Sequence, residues 1–310
     1  MQILALGYLG FEGARHEEWL QFGPEILGLA VGERGSDGAV CLKMDERKFR
    51  FSMHPGPVDR LSYIGWELRD VHAFEAALKK FENLNIDYEL AAPELLRERG
   101  VAGMVRIVDP AGFVHELFYG QAFWPYSFTP GRPIAGFLAG TLGLGHVVLG
   151  VPEFTPELRH FAVEVLGFEI FSSFDFPMVD GRRERLEFYR CNPRTHVLAY
   201  VPYPGLKGVQ HVGIDTLHLD DVGTCLDLCT KRNVPISQTL GRHVLDQSVS
   251  FYLLTPGGFE LEYGFGATLL KEGEFLAQTP QRYPHIWGHV INPAHQAGTL
   301  LPISTGNVGN

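Results

Sequence analysis

"GRHVLDQSVSFYLLTPGGFELEYG" (residues 241–264) and "VRIVDPAGFVHELFYG" (105–120) are two versions of one hairpin. Each reads as a strand, a Pro-x-Gly turn and a returning strand, because Pro presets one turn dihedral and Gly accepts the next. Side chains alternate along a strand, so Glu260 and Glu262 share one face of the returning strand. Two carboxylates on one face of an otherwise apolar strand call for a positive charge nearby. Glu116 stands where Glu262 does in the earlier copy, and Val114 stands where Glu260 does.

The rest of the chain repeats in the same order, offset by roughly 140 to 150 residues, the mark of a tandem architecture. "LGYLGFEGARHEEWLQFGPEILGL" (6–29) resembles "LGHVVLGVPEFTPELRHFAVEVLGF" (144–168). Both predict a strand, an amphipathic helix and a terminating glycine, Gly28 or Gly167. In the second copy Thr155 is placed to cap the helix and Pro156 to open it. "RLSYIGWEL" (60–68) resembles "GVQHVGIDT" (208–216), and helical patterns follow both, "VHAFEAALKKF" and "DDVGTCLDLCTKR". Strand–helix–strand units in two similar halves predict an α+β protein of two tandem modules. The Pro-, Gly- and aromatic-rich "FWPYSFTPGRPIAG" (123–136) reads as the linker. The expected division is 1–135, 136–290 and a C-terminal tail, 291–310, the aperiodic end packing across the second module.

With 310 residues the chain is long enough for two ordinary domains, and 45% apolar with 20% charged residues fits a globular protein. A net charge of −10 and the lack of a basic run argue against a nucleic-acid partner. No segment reaches the roughly 18 apolar residues of a membrane span. The opening residues lack the basic start and apolar core of a secretory signal. Four scattered cysteines do not make a disulfide scaffold, so the expected compartment is the reducing cytoplasm. Cys225 and Cys229, one helical turn apart, read as two buried thiols on one face.

Comparing the two copies singles out three positions. His146, His211 and Glu262 of the second copy face Tyr8, Tyr63 and Glu116 of the first. A lone strand histidine is ordinarily a hydrogen-bonded core residue. Here the fold features survive in both halves while the histidines occur in one, so the fold does not demand them. Two imidazoles and one carboxylate on separate strands are what a divalent metal with open positions requires. Glu262 would then meet the ion, and Glu260 would lie at the strand edge or behind the ligands.

At this point the sequence resembles a known family. "GLGHVVLGVP", "GVQHVGIDT" and above all "LGRH-x7-FY-x2-TPGG-x3-EYG" look like the extradiol ring-cleaving dioxygenases of the vicinal oxygen chelate superfamily. The likeness is strongest to the two-domain enzymes acting on 2,3-dihydroxybiphenyl and similar bicyclic catechols. It spans nearly the whole chain, including "HIWGH" (285–289). It implies modules each made of a pair of βαβββ units, the first of them metal-free. It further implies Fe(II) held by His146, His211 and Glu262, a donor set that also suits Mn(II). His196 of "NPRTHVLAY" matches the family's acid–base histidine, and His243 and Tyr252 match groups that contact substrate or oxygen. Asp246 matches a polar contact near the substrate, and Phe188 an aromatic wall of its pocket. From pattern alone Tyr252 and Phe188 read as core. Leu245 departs from the polar residue some relatives carry.

The expected partners are a catecholic small molecule and O2, with homo-oligomeric assembly as in relatives. Biphenyl-, naphthalene-, tetralin- and dibenzofuran-derived diols all fit this reading. Two alternatives differ in class. One is a glyoxalase-like metal-dependent lyase or isomerase, whose sites usually need a fourth protein ligand. The other is a non-catalytic protein that binds an aromatic ligand, which has no need of iron ligands or of His196.

Overall fold

The computed structural model describes residues 1–177, 183–203, 207–271, 274 and 285–292. The first sheet contains β1 (Ile3–Gly13), β2 (Ala30–Val31), β3 (Val40–Lys43), β4 (Phe51–Pro55), β5 (Arg60–Leu68), β6 (Glu89–Leu90), β7 (Gly103–Val108) and β8 (Val114–Tyr119). Their spatial order is β2-β3-β4-β1-β5-β8-β7-β6. The second sheet contains β9 (His146–Val151), β10 (Glu169–Pro177), β11 (Arg183–Arg190), β12 (Leu198–Pro202) and β13 (Gly208–Thr216). It continues with β14 (Ile236–His243), β15 (Val249–Leu254), β16 (Glu260–Phe265) and β17 (His285–Trp287). Its order is β10-β11-β12-β9-β13-β16-β15-β14-β17. Setting aside the added edge strand β17, the two orders superpose strand for strand.

A helix follows the first strand of each unit in both halves, and the first half adds one more. α1 (Trp19–Phe22) follows β1, α2 (Val71–Leu84) follows β5, and α3 (Pro93–Arg99) lies between β6 and β7. α4 (Pro156–His160) follows β9 and α5 (Leu219–Arg232) follows β13. Each module is therefore two βαβββ units, such as β9-α4-β10-β11-β12 and β13-α5-β14-β15-β16. In each, two antiparallel central strands are flanked by parallel neighbours: β12 beside β9, and β16 beside β13. This is the α+β tandem arrangement that the repeated hairpin predicts.

The helix ends follow their sequence signals. Thr155 accepts from the Leu158 amide with Pro156 at the first helical position. Asp70 caps α2 through the Ala73 amide. Gly28 and Gly167 close the first helix of each module in the left-handed conformation, at φ +83° and +79°. Cys225 and Cys229 are free thiols buried on one face of α5.

One hydrophobic core runs through both modules. Phe11 stacks on Phe259 with ring centroids 4.2 Å apart, and Trp66 meets Phe168 edge-on at 5.0 Å. Polar ties cross the same seam: the Tyr200 hydroxyl donates to Asp109 and the Tyr263 hydroxyl to the Leu27 carbonyl. Linker residue Arg132 bonds both the Ile26 carbonyl and the Tyr263 hydroxyl. β17 pairs antiparallel with β14, and the Asn292 amide donates to the Ser237 carbonyl. The remainder of the expected tail, 293–310, lies outside the described residues. Among the described residues no helix is long and apolar enough to cross a membrane.

Candidate metal centre

The register of β9, β13 and β16 assembles a site from residues far apart in the chain. His146 pairs across with Gly213, Gly213 with Glu262, and Glu262 with Tyr252 on β15. His211 lies two residues before Gly213 and so projects from the same face. The row requires glycine at its middle, because a Cβ on residue 213 would sit 2.0 Å from His146 Cε1.

Three ligand-type atoms converge as a result. Nε2 of His146 is 3.1 Å from Nε2 of His211 and 3.2 Å from Oε2 of Glu262, and the His211–Glu262 distance is 3.5 Å. All three side chains are buried. His211 is oriented from behind: its Nδ1 bonds Gln210 Oε1, and the Gln210 amide donates to Glu260 Oε2 at 2.9 Å. Such a contact fixes the tautomer and leaves Nε2 for an ion. Glu260 therefore stands behind the ligand row, with burial raising its carboxyl to about 7. The other Glu262 oxygen, Oε1, accepts from the Ser250 hydroxyl at 2.6 Å and lies 3.1 Å from His243 Nε2. His243 Nε2 is also 3.0 Å from the Tyr252 hydroxyl.

The protonation states suit metal binding. Burial would raise the Glu262 carboxyl, but hydrogen bonds from His146, His211 and His243 bring it well below the usual carboxylate range. Burial pushes His211 down to about 4, holding it neutral. His196 is held well below an ordinary histidine by burial, with the His146 ring adding to the effect. Burial, then the Glu262 charge, keeps the Tyr252 hydroxyl protonated. Neutral imidazoles with one ionised carboxylate form an N/O donor set for a borderline divalent ion.

The other expected site residues gather around this row. The His196 ring lies 4.2 Å from that of His146, and Phe188 meets His196 edge-on at 5.1 Å. His196 Nδ1 is within 3.2 Å of the Thr195 hydroxyl. Asp246 is buried, raised by desolvation, and accepts from the Ser248 amide. A small pocket, open to solvent, is lined by His146, His196, Asp246 and Glu262 among others. Phe188, His243 and Tyr252 do not line that pocket. Sequence reasoning missed Ser250 and Gln210. Ser250 was findable, since it alternates with Tyr252 on the face that meets Glu262. Gln210 was not: a register irregularity between Val209 and His211 brings the neighbouring side chains together.

The equivalent place in the first module is closed. Tyr8 pairs with Gly65 and Gly65 with Glu116, the same row as in the second module. Here Arg99 from α3 bonds both Glu116 oxygens, at 3.0 and 3.2 Å, and its guanidinium lies 3.8 Å over the Tyr63 ring. Tyr8, Phe49, Tyr63 and Phe118 fill the surrounding space. Here a side-chain cation meets the carboxylate that an ion would meet in the other half.

Duplicated βαβββ modules with a two-histidine, one-carboxylate row in the second define a class that unites glyoxalases and ring-cleaving oxygenases. Residues 6–56 match the family model described as "Dihydroxybiphenyl dioxygenase BphC D1", and residues 143–263 match "Glyoxalase/Bleomycin resistance protein/Dioxygenase superfamily". The chain is 33% identical to an iron-dependent extradiol dioxygenase of Rhodococcus jostii, over 93% of this chain and 97% of that one. It is 34% identical to a biphenyl-2,3-diol 1,2-dioxygenase of Paraburkholderia xenovorans, covering 93% and 96% respectively. The crystal structure of BphC, a halotolerant catechol dioxygenase, superposes with a TM-score of 0.88 at 37% identity, covering 97% of this chain and 98% of that one. The chain belongs to the two-domain extradiol dioxygenases of the glyoxalase/dioxygenase superfamily.

Proposed function

We propose that the protein is an iron(II)-dependent dioxygenase that opens the ring of an aryl-substituted or bicyclic catechol beside its hydroxyls. The observation that carries this reading is the convergence of His146, His211 and Glu262 at 3.1–3.5 Å within the second sheet. One carboxylate leaves a bound divalent ion with about one positive charge, which a singly deprotonated catechol would neutralise. Iron(II) held by these three residues would supply one-electron redox chemistry and adjacent open positions for the diol and for O2. Manganese(II) suits the same donors.

The chain's own groups do the rest. His196, neutral and with Nδ1 toward Thr195, takes a hydroxyl proton from the substrate and returns it later in the cycle. The protonated Tyr252 hydroxyl and His243, 3.0 Å apart, offer donors to charge developing on oxygen. Phe188, edge-on to His196, supplies apolar wall, and Asp246 a buried polar contact. Overall, one ring carbon–carbon bond breaks and both atoms of O2 enter the product, so no external reductant is needed. Relatives named for biphenyl-2,3-diol and 1,2-dihydroxynaphthalene support the bicyclic class. Homo-oligomeric assembly in the cytoplasm is part of the same reading, and exposed Ile286 and Trp287 on the edge strand β17 are consistent with it.

No described observation favours the lyase or the passive binder. The first module offers no fourth ligand, because Arg99 covers Glu116. The test is to load the protein anaerobically with Fe(II), add 2,3-dihydroxybiphenyl and admit air. Stoichiometric oxygen uptake with rising visible absorbance from a conjugated ring-opened product is expected. Binding of the diol without oxygen consumption would refute the oxygenase reading.

A further inference from the structure

A second cluster of imidazoles lies beside the triad. His243, His285 and His289 each bring a ring nitrogen within 4.8 Å of the others. The rings of His243 and His289 are 4.1 Å apart, and those of His285 and His289 5.3 Å. His289 is only 2% exposed. Its Nε2 lies 3.0 Å from the Ser250 carbonyl, an acceptor with no proton to give, so Nε2 carries the hydrogen. Nδ1 is then a bare lone pair, and it is buried without a hydrogen-bond partner among the described residues. His285 Nδ1 is likewise buried and, among the described residues, without a hydrogen-bond partner. Buried polar atoms are ordinarily hydrogen-bonded, so two such nitrogens in one cluster of three side chains need an explanation.

The backbone is shaped to bring His289 in. A Cβ on Gly241 would lie 2.5 Å from His289 Cδ2, and one on Gly288 would lie 2.1 Å from the Leu240 carbonyl. His289 itself adopts φ +49°, a left-handed conformation uncommon for a residue with a Cβ. A ligating histidine characteristically donates its far N–H to a backbone carbonyl or carboxylate. His289 does so to Ser250, and His243 Nε2 meets the Glu262 carboxylate and the Tyr252 hydroxyl.

We propose that His243, His285 and His289 form a second site for a borderline divalent ion such as zinc(II), and that filling it inhibits the enzyme. Three neutral imidazoles with a fourth position for water are a zinc donor set. Nitrogens of a tetrahedral zinc site stand roughly 3.3 Å apart, so the cluster, whose nitrogens lie within 4.8 Å of one another, draws in on binding. An imidazole bound to zinc through one nitrogen is fixed in orientation and cannot turn its other N–H from Glu262 toward a reacting oxygen. Occupation therefore removes His243 from the work assigned to it above, and this inhibitory half of the proposal rests on that reading.

The test uses the Fe(II)-loaded chain under anaerobic conditions, dialysed against zinc(II), with both metals counted. One zinc in addition to the retained iron is expected, and His285→Ala should keep its iron while its zinc affinity falls at least tenfold. In the oxygen-uptake assay, the zinc concentration that halves each protein's own zinc-free rate should be at least tenfold higher for His285→Ala. Zinc uptake unchanged in that variant, or zinc gained only as iron is lost, overturns the proposal. Binding is read without turnover, so a protein that takes up the extra zinc but consumes no oxygen would keep the site and reject the dioxygenase.

Discussion

His196 and His243 flank the same carboxylate-bearing row but stand in different relations to it. His243 touches Glu262 directly, whereas His196 stacks against the His146 ring without bonding any of the three converging side chains. Removing His196 should therefore leave the donor row intact. His196→Ala is expected to retain iron yet lose about 10²-fold or more in turnover, the scale of a general acid–base group. His146→Ala or His211→Ala should instead lose both iron and ring cleavage. Metal content together with oxygen uptake separates the two behaviours, and full activity in a ligand variant would reject the assignment. Elsewhere at this scale, burial would raise the Asp45 carboxyl, but Arg50 at 2.5 Å brings it below its usual value. A depressed carboxyl adds stability that is present above the unfolded pKa of about 3.9 and is lost as pH falls through the folded value. Asp45→Asn should lower the melting temperature near neutrality and flatten its decline below about pH 4. An unchanged acid limb would show that the pair contributes nothing.

At the scale of elements, the strand register makes the site, and one glycine permits that register. Gly213→Ala puts a methyl group into the His146 ring, so the ring must leave the row. The expected outcome is weakened iron binding in a protein whose circular dichroism is unchanged; tight iron retention would show that the strand can shift to make room. The elements were also the most legible part of the sequence. Pro-x-Gly turns, the Thr155–Pro156 helix start and the Gly28 and Gly167 stops are local signals, and each acts over a few residues. The triad was legible for a different reason: the duplication supplied its own comparison, with Tyr8 and Tyr63 standing where His146 and His211 do. Gln210 and Arg99 were not legible. Gln210 reaches His211 through a register irregularity, and Arg99 reaches Glu116 from a helix that the repeat comparison does not align. His285 and His289 depend on β17 folding back along β14, a long-range pairing that no local pattern announces.

For the whole molecule, two modules share one core while solving the same electrostatic problem differently. Glu116 is fully buried, and Arg99 is the guanidinium that bonds both its oxygens. Arg99→Ala leaves that carboxylate with the Tyr8 hydroxyl, 2.9 Å from Oε2, and as its nearest cation the more distant Arg106, whose Nε is 3.7 Å away. Breaking a buried pair usually costs about 3–5 kcal/mol, and Arg106 places the expected loss near the lower end. Chemical denaturation would measure it, and a loss under about 1 kcal/mol would mean that the pair is dispensable. The Arg99 arrangement has a consequence for how the protein meets a shortage of iron. The N-terminal half is born with its counter-charge covalently attached, so no chelator can strip it and no supply can limit it. Only the C-terminal half must wait to be charged, and it waits beside a partner that is already set.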